Sequence, residues 1–157
     1  MSTEQVSTGQ VSTGQGSTPK HRVAAECARH GARGLVAACV ALLEARAGDV
    51  SDDTITVLGG DSARYVLDGG EGGRAGYWPR VWAARGLLHE WDPVATAAII
   101  GATRDDAWRV REMAARVIAR HKVGDALDAV AALRADEVAR VRASASRAVT
   151  VLTAAGA

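Results

Sequence analysis

The chain has 157 residues, of which 48% are hydrophobic and 24% charged, and its formal net charge is +1. This length allows one domain of about 100 to 150 residues, and the composition excludes a wholly disordered chain. The near-neutral charge excludes a general attraction to nucleic acid or to anionic membranes, although it leaves a local charged patch open.

The first 19 residues are a low-complexity segment in which Gln-Val-Ser-Thr-Gly is repeated. It has almost no apolar mass to bury, so we predict a disordered tail, whose hydroxyls could accept phosphate or serve as a tether. The sequence does not open with a basic segment and an apolar run, and no stretch reaches the roughly 18 apolar residues of a membrane span. We therefore expect a cytoplasmic protein with no membrane partner.

Residues 20–76 read as a helical cap that ends in a glycine-rich loop. A helical pattern runs from 20 to 47 with a break near Gly31, and Ser51 is placed to cap a helix that ends at Gly59-Gly60. Asp61 could cap another short helix, and five glycines between 69 and 76 predict a loop. This loop lacks the Gly-Lys-Ser/Thr ending of a phosphate cradle, so we interpret it as a connector.

Cysteine and histidine residues in this cap do not have the spacing of a metal site. Cys27 and Cys39 would lie about 18 Å apart on one continuous helix, so a disulfide between them needs a tight turn. Together with His21 and His30 they lack the paired spacings of structural zinc sites. We predict no bound metal and no cofactor.

The remaining sequence, from 77 to 153, contains an internal repeat. The same offset of 31 residues separates Arg85, Arg116 and Arg147, and it also aligns Asp105 with Asp136. A fixed period of this size indicates stacked supersecondary units. The same offset aligns a second set of arginines, which are Arg80, Arg111 and Arg142.

Each repeat is predicted to be a pair of helices joined by a turn that contains aspartate. Asp92-Pro93 begins the first helix of one pair, and Asp105 or Asp106 begins its second helix. The apolar residues of this second helix are spaced by three and four, as on a buried face, and they are Val110, Met113, Ala114, Val117 and Ile118. No segment requires a strand.

The segments 103–117 and 134–148 resemble HEAT repeats of the short type also found in phycobilisome lyases, because both contain an aspartate turn followed by Val-Arg-x-x-Ala. The resemblance covers about 77–153 and implies an all-α fold, a short α-solenoid of helical hairpins with the N-terminal cap at 20–76. It also implies structural contacts between Asp105 and Arg111 and between Asp136 and Arg142. The first copy departs from the pattern, since Arg74 occupies the position of the aspartate, which suggests a capping unit.

Stacked hairpins present a broad surface, so we predict one helical domain at 20–157 that is a non-catalytic adaptor or scaffold for another protein. An acidic segment of that protein could bind the face formed by the second helices. A nucleic-acid-binding module remains an alternative, and an enzyme of the HEAT-like glycosylase or bilin lyase type, with Trp91 and Asp92 or Trp108 and Asp105 as a site, is a further one. The candidate binding residues are Arg85, Arg116, Arg147, Arg109, Arg140, Trp78 and Trp82.

Aromatic residues concentrated between 77 and 91 allow two interpretations. They could form a groove for a partner, or they could seal the end of the helical stack against residues 20–68. The second interpretation is favoured because an uncapped stack would expose its core. Exposed arginines on a helix are likewise stable without any ligand, so the arginine face could also be an ordinary solvated surface.

Overall fold

The computed structural model describes residues 17–156, and within this range the chain is all-α, with helices and turns and no strand. Residues 1–16 and 157, and with them most of the predicted tail, lie outside the described residues. The α-helices are α1 (Pro19–His30), α2 (Ala32–Leu43), α3 (Asp52–Gly59), α4 (Ala63–Leu67), α5 (Tyr77–His89), α6 (Thr96–Ala102), α7 (Trp108–His121), α8 (Leu127–Ala132) and α9 (Ala139–Ala155). Short 3-10 turns lie at Ala47–Asp49, Gly60–Ser62, Gly70–Ala75, Pro93–Ala95, Gly124–Ala126 and Leu133–Ala135.

The N-terminal helices begin and end at the residues that the sequence indicates. The break at Gly31 is confirmed, since this residue has φ of 87° and separates α1 from α2. Ser51 caps α3 by accepting a hydrogen bond from the backbone N–H of Thr54. Helix α1 begins one residue inside the predicted tail, because Thr18 caps it and Pro19 occupies its first turn.

Two details of the cap differ from the expectation. Helix α4 begins after a 3-10 turn, and the residue before it, Ser62, makes no side-chain capping bond, so Asp61 does not begin this helix as predicted. The glycine-rich segment is a series of tight turns with left-handed backbone at Gly69 and Gly72. Arg74 then fixes the segment, donating two hydrogen bonds of 3.1 and 3.0 Å to the carbonyl oxygen of Val50.

The C-terminal half is arranged around three consecutive long helices. Helix α5 packs on α7, and α7 packs on α9, while the shorter α6 and α8 pack on α7 and α9 respectively. Helices α1, α2 and α3 pack against the other side of the array through α5. One continuous hydrophobic core, which extends from Val23 to Leu152, joins the two halves of the described range.

The aromatic residues of α5 mainly join the cap to the rest of the molecule. Trp82 is only 4% exposed, and a Cβ added to Gly59 would lie 2.6 Å from its ring. Gly86 faces α2 and α3 in the same way, since an added Cβ would lie 2.8 Å from Leu58 and 3.0 Å from the Cys39 sulfur. This close packing agrees with the interpretation that the aromatic helix seals the end of the array.

Aspartate turns connect neighbouring pairs of helices, but their ionic partners differ from the expectation. Arg80 binds both carboxylate oxygens of Asp105, at 2.7 and 3.1 Å, and Arg111 binds those of Asp136 at 2.8 and 3.2 Å. The expected contacts of Asp105 with Arg111 and of Asp136 with Arg142 are present, but not through the carboxylates, which bind the arginine of the preceding repeat. Arg111 instead donates to the backbone carbonyl of Asp105, so each arginine joins its own turn to the aspartate of the next one.

The thiols of Cys27 and Cys39 are both free. Cys39 is completely buried, and this burial raises its pKa to about 12. Its thiol is therefore a packing group and not a reactive nucleophile at neutral pH. Among residues 17–156, no helix is long and apolar enough to cross a membrane.

Candidate binding groove

A groove of about 870 Å³ is lined by the end of α5, by α7, by the N-terminal half of α9 and by the start of α1. Its lining includes the apolar side chains of Leu88, Ala119 and Ala143. Cationic residues from three helices line it, namely Lys20, Arg116, Arg120, Arg140 and Arg147, and Glu112 is its one acidic residue. The groove therefore concentrates positive charge in a chain whose formal net charge is only +1.

Most of these cations have no ionic partner in the described part of the chain. Lys20, Arg116, Arg120 and Arg147 are exposed and form no ion pair within residues 17–156. Many arginines outside the groove are paired, as Arg80 is with Asp105. The hydrogen-bond donors of the groove are therefore available to an anion.

Arg140 is the exception, because it pairs with Glu112 across α7 and α9 at 3.2 Å. The Glu112 side chain is only 15% exposed, whereas that of Arg140 is 70% exposed. The guanidinium of Arg140 also lies 5.5 Å from the ring centre of Trp108, within the range of a cation–π contact. Glu112 and Trp108 therefore hold Arg140 at the edge of the groove.

Two histidines lie at the end of the groove nearest the cap. The Nε2 of His121 donates a 2.8 Å hydrogen bond to the carbonyl of Leu87, and its ring stacks on Trp91 at 5.1 Å. His89 lies in the field of the groove's cations. Its pKa is lowered first by burial and then by the positive charges of Arg85, Lys20, Arg120 and Arg116.

Of the three candidate arginines that share one repeat position, two line the groove. Arg116 and Arg147 line the groove together, but Arg85 is half-buried and donates a 2.8 Å hydrogen bond to the carbonyl of Leu58 in α3. Burial, followed by the positive charge of Arg22, lowers the pKa of Arg85. Arg85 therefore joins the cap to α5 and does not line the groove with the other two arginines.

The predicted aromatic residues also fall into different environments. Trp82 belongs to the core, as described above, and Trp78 is half-buried and donates through Nε1 to Glu71. Arg109 is exposed, and its guanidinium lies 5.5 Å from the ring centre of Trp78 and 4.5 Å from that of Trp108. None of these three residues lines the groove.

The carboxylates proposed for an enzyme are engaged in structural contacts. Asp92 accepts the N–H of Val94 at 2.9 Å, and Asp105 binds Arg80 as well as the N–H of Ala107. Trp91, the suggested neighbour of Asp92, stacks on His121. Within residues 17–156 no group of three or more His, Cys, Asp or Glu residues is placed to hold a metal ion.

Sequence reasoning did not include Lys20 or His89 among the candidate binding residues. Lys20 could not be placed, because it enters the groove through the packing of α1 on α5, which no local pattern specifies. Arg120 follows Arg116 by four residues, so the helical period places both on the outward face of α7 that the sequence makes a candidate for binding. His89 could have been suspected only from its place in the last turn of α5.

Comparisons with models of protein families, with curated proteins and with solved structures find no match to this chain. We therefore base its function on the chemistry of the groove.

Proposed function

We propose that the protein is a scaffold built from HEAT-like helical hairpins, and that its groove binds an acidic segment of a partner protein. The aspartate turns that recur every 31 residues, together with the packing of α5, α7 and α9 in sequence, support the arrangement of hairpins. The single observation behind the binding role is that four exposed cations of the groove, Lys20, Arg116, Arg120 and Arg147, have no ionic partner among residues 17–156. Guanidinium groups bind carboxylates in a bidentate manner, and such charge-assisted hydrogen bonds are the stronger ones.

A protein segment fits this groove better than a nucleic acid does. The apolar side chains of Leu88, Ala119 and Ala143 in the lining can contact apolar side chains of a peptide, for which a row of phosphates has no counterpart. Glu112 is paired with Arg140, so the other cations of the groove remain free to bind carboxylates. A segment that alternates acidic and apolar residues can therefore contact both the cations and the apolar side chains of the groove.

Binding of a fluorescently labelled peptide of alternating Glu and Leu tests this role. The variant Arg116→Glu/Arg120→Glu/Arg147→Glu should bind it at least about tenfold more weakly, since three favourable charge contacts become repulsive. The matched control is Arg33→Glu/Arg104→Glu/Arg134→Glu, which changes the net charge equally at exposed arginines outside the groove. Equal losses in both variants would show nonspecific attraction and would contradict the proposal.

Nucleic acid remains the second candidate, because the same cations can contact phosphates. A single-stranded oligonucleotide of mixed sequence, titrated at several salt concentrations, distinguishes the two. We expect the acidic peptide to compete successfully against the oligonucleotide at physiological salt. If the oligonucleotide binds more tightly, and its affinity falls steeply with salt, the groove is a nucleic-acid site.

A further inference from the structure

The charged residues of the groove are unevenly distributed along it. Four basic residues line its end near the start of α1, and we call them the α1-end cluster: Lys20, His89, Arg116 and Arg120. The one acidic residue of the lining, Glu112, is paired with Arg140 of α9. The α1-end cluster therefore combines three permanently charged side chains and an imidazole, and it contains no carboxylate.

The side chains of the α1-end cluster have hydrogen-bond donors that nothing within residues 17–156 accepts. Lys20, Arg116 and Arg120 are exposed, and they make no ion pair and no side-chain hydrogen bond in that range. The ring of His89 is partly buried and makes no such bond either, unlike that of His121. One acceptor group could therefore be contacted from three helices, α1, α5 and α7.

The positive charges at this end of the groove act on one another. Arg116 and Arg120 are four residues apart on α7, and like charges at this spacing destabilise a helix. One turn before His89, the buried Nε of Arg85 has no hydrogen-bond partner, so a further positive charge lies behind the cluster. An anion bound by the α1-end cluster would offset this repulsion and stabilise the folded chain.

A phosphoryl group matches the α1-end cluster better than one carboxylate does. A phosphorylated side chain carries a charge of about −1.5 to −2 at neutral pH and has three strong acceptor oxygens. A carboxylate has a single charge shared by two oxygens. The donors of Lys20, Arg116 and Arg120 can therefore contact a phosphoryl group from several sides, and a guanidinium group can bind two of its oxygens at once.

The rest of the groove indicates that this phosphoryl group belongs to a longer molecule. Beyond the α1-end cluster the lining continues past Ala119 and Ala143 to Arg147. A free phosphate ion would leave these apolar side chains and Arg147 without a contact. A peptide with apolar and acidic residues next to its phosphorylated residue contacts both.

We propose that the α1-end cluster binds a phosphorylated serine or threonine of the partner's acidic segment. The remainder of the groove then holds the acidic and apolar residues beside it. This inference rests on the proposed function, and it makes phosphorylation of the partner the event that strengthens binding.

Labelled peptides of alternating Glu and Leu test the proposal. One set has phosphoserine at its first or its last position, and the charge-matched set has two consecutive Glu residues at that position. We expect the better phosphopeptide to bind at least about tenfold more tightly than its charge-matched counterpart, because the phosphoryl oxygens accept more charge-assisted hydrogen bonds from one cluster. Fluorescence anisotropy measures both affinities.

Single substitutions locate the preference in the groove. Lys20→Gln and Arg120→Gln should each reduce it to below about threefold, since each removes a charged donor from the α1-end cluster. The matched control is Arg147→Gln, which removes a charge from the α9 side of the groove. It should weaken both peptides of a pair and leave their ratio unchanged.

Equal binding of the phosphopeptide and its counterpart would overturn the proposal, as would a preference that Lys20→Gln and Arg120→Gln leave unchanged. Displacement of the phosphopeptide by inorganic phosphate at the same concentration would assign the cluster to a free ion. Tighter binding of a single-stranded oligonucleotide would assign it to nucleic acid. Equal binding contradicts this inference alone, whereas failure of every peptide to bind contradicts the proposed function as well.

Discussion

Asp136 shows how much one side chain contributes to the helical array. Its carboxylate accepts hydrogen bonds from Arg111 and from the backbone N–H of Val138, and the side chains of Asp136 and Arg111 are 8% and 12% exposed. The hydrogen bond from Arg111 is the main cause that lowers the pKa of Asp136. The carboxylate is therefore ionised at neutral pH, and it stabilises the junction between α7 and α9.

We predict that Asp136→Asn lowers the free energy of unfolding by about 2 to 4 kcal/mol at neutral pH, since it leaves Arg111 without its ionic partner. Urea denaturation measures this, with Asp128→Asn as the exposed control. Because the folded-state pKa is below the unfolded one, the contribution is present above the unfolded pKa and is lost as the pH falls through the folded pKa. A difference between the proteins that is unchanged down to that pH would contradict the pairing.

The pKa of His89 depends on the positive charges that line the groove. Since positive neighbours contribute to its lowered pKa, Arg116→Gln and Arg120→Gln should each raise that pKa toward 6.5. An acidic peptide bound in the groove should raise it further in the unmodified protein, because a carboxylate stabilises the imidazolium. NMR titration of the imidazole carbon-bound protons measures both effects.

The control for His89 is Arg33→Gln, which removes a charge that does not contribute to its pKa. If all three substitutions raise the pKa of His89 equally, the pKa responds to the net charge of the whole protein and not to the cations of the groove. A pKa that is unchanged by the peptide would place the bound peptide elsewhere on the molecule.

The close contact between α3 and α5 requires a residue without a side chain at position 59, which is glycine. Gly59→Ala would place a methyl group 2.6 Å from the ring of Trp82, and the buried ring has little freedom to move away. We predict a loss of about 1 to 3 kcal/mol in unfolding free energy. Gly101→Ala is the matched control in α6, because nothing lies within 4 Å of its added Cβ, and it should leave stability unchanged or raise it by up to about 1 kcal/mol.

Thermal or urea unfolding of both variants checks this contact. Equal stabilities for the two alanine variants would show that Trp82 does not pack against α3 in solution.

The boundaries of most helices could be predicted because their signals are local. Gly31 breaks a helix through its backbone freedom, and Ser51 and Asp92 cap the helices that follow them. The repeat also identified the residues of the aspartate turns. The resemblance to HEAT repeats matched each aspartate with the arginine of its own turn, whereas the carboxylate binds the arginine of the preceding repeat. A repeat spacing states which positions are equivalent, whereas the choice between a contact within one repeat and a contact between two repeats depends on how the helices pack.

For the molecule as a whole, the groove could be predicted only in part. The 31-residue repeat placed Arg116 and Arg147 at equivalent positions, and both side chains line the same groove. It also placed Arg85 there, although the cap reaches over α5 and binds that side chain through the carbonyl of Leu58. Lys20, which is distant in the sequence, lines the groove where Arg85 was expected. Which residues form the groove therefore depends on tertiary packing as well as on the repeat.

The most direct measurement of the central claim locates a bound acidic peptide on the surface. A peptide of alternating Glu and Leu, with a nitroxide spin label at one end, broadens NMR signals of nearby residues. We predict broadening at the side chains of Arg116, Arg120 and Arg147, with little effect at Arg33 and Arg104, which lie outside the groove. Broadening centred on Arg109 and Trp78, or spread evenly over all exposed arginines, would contradict the assignment of the groove as the binding site.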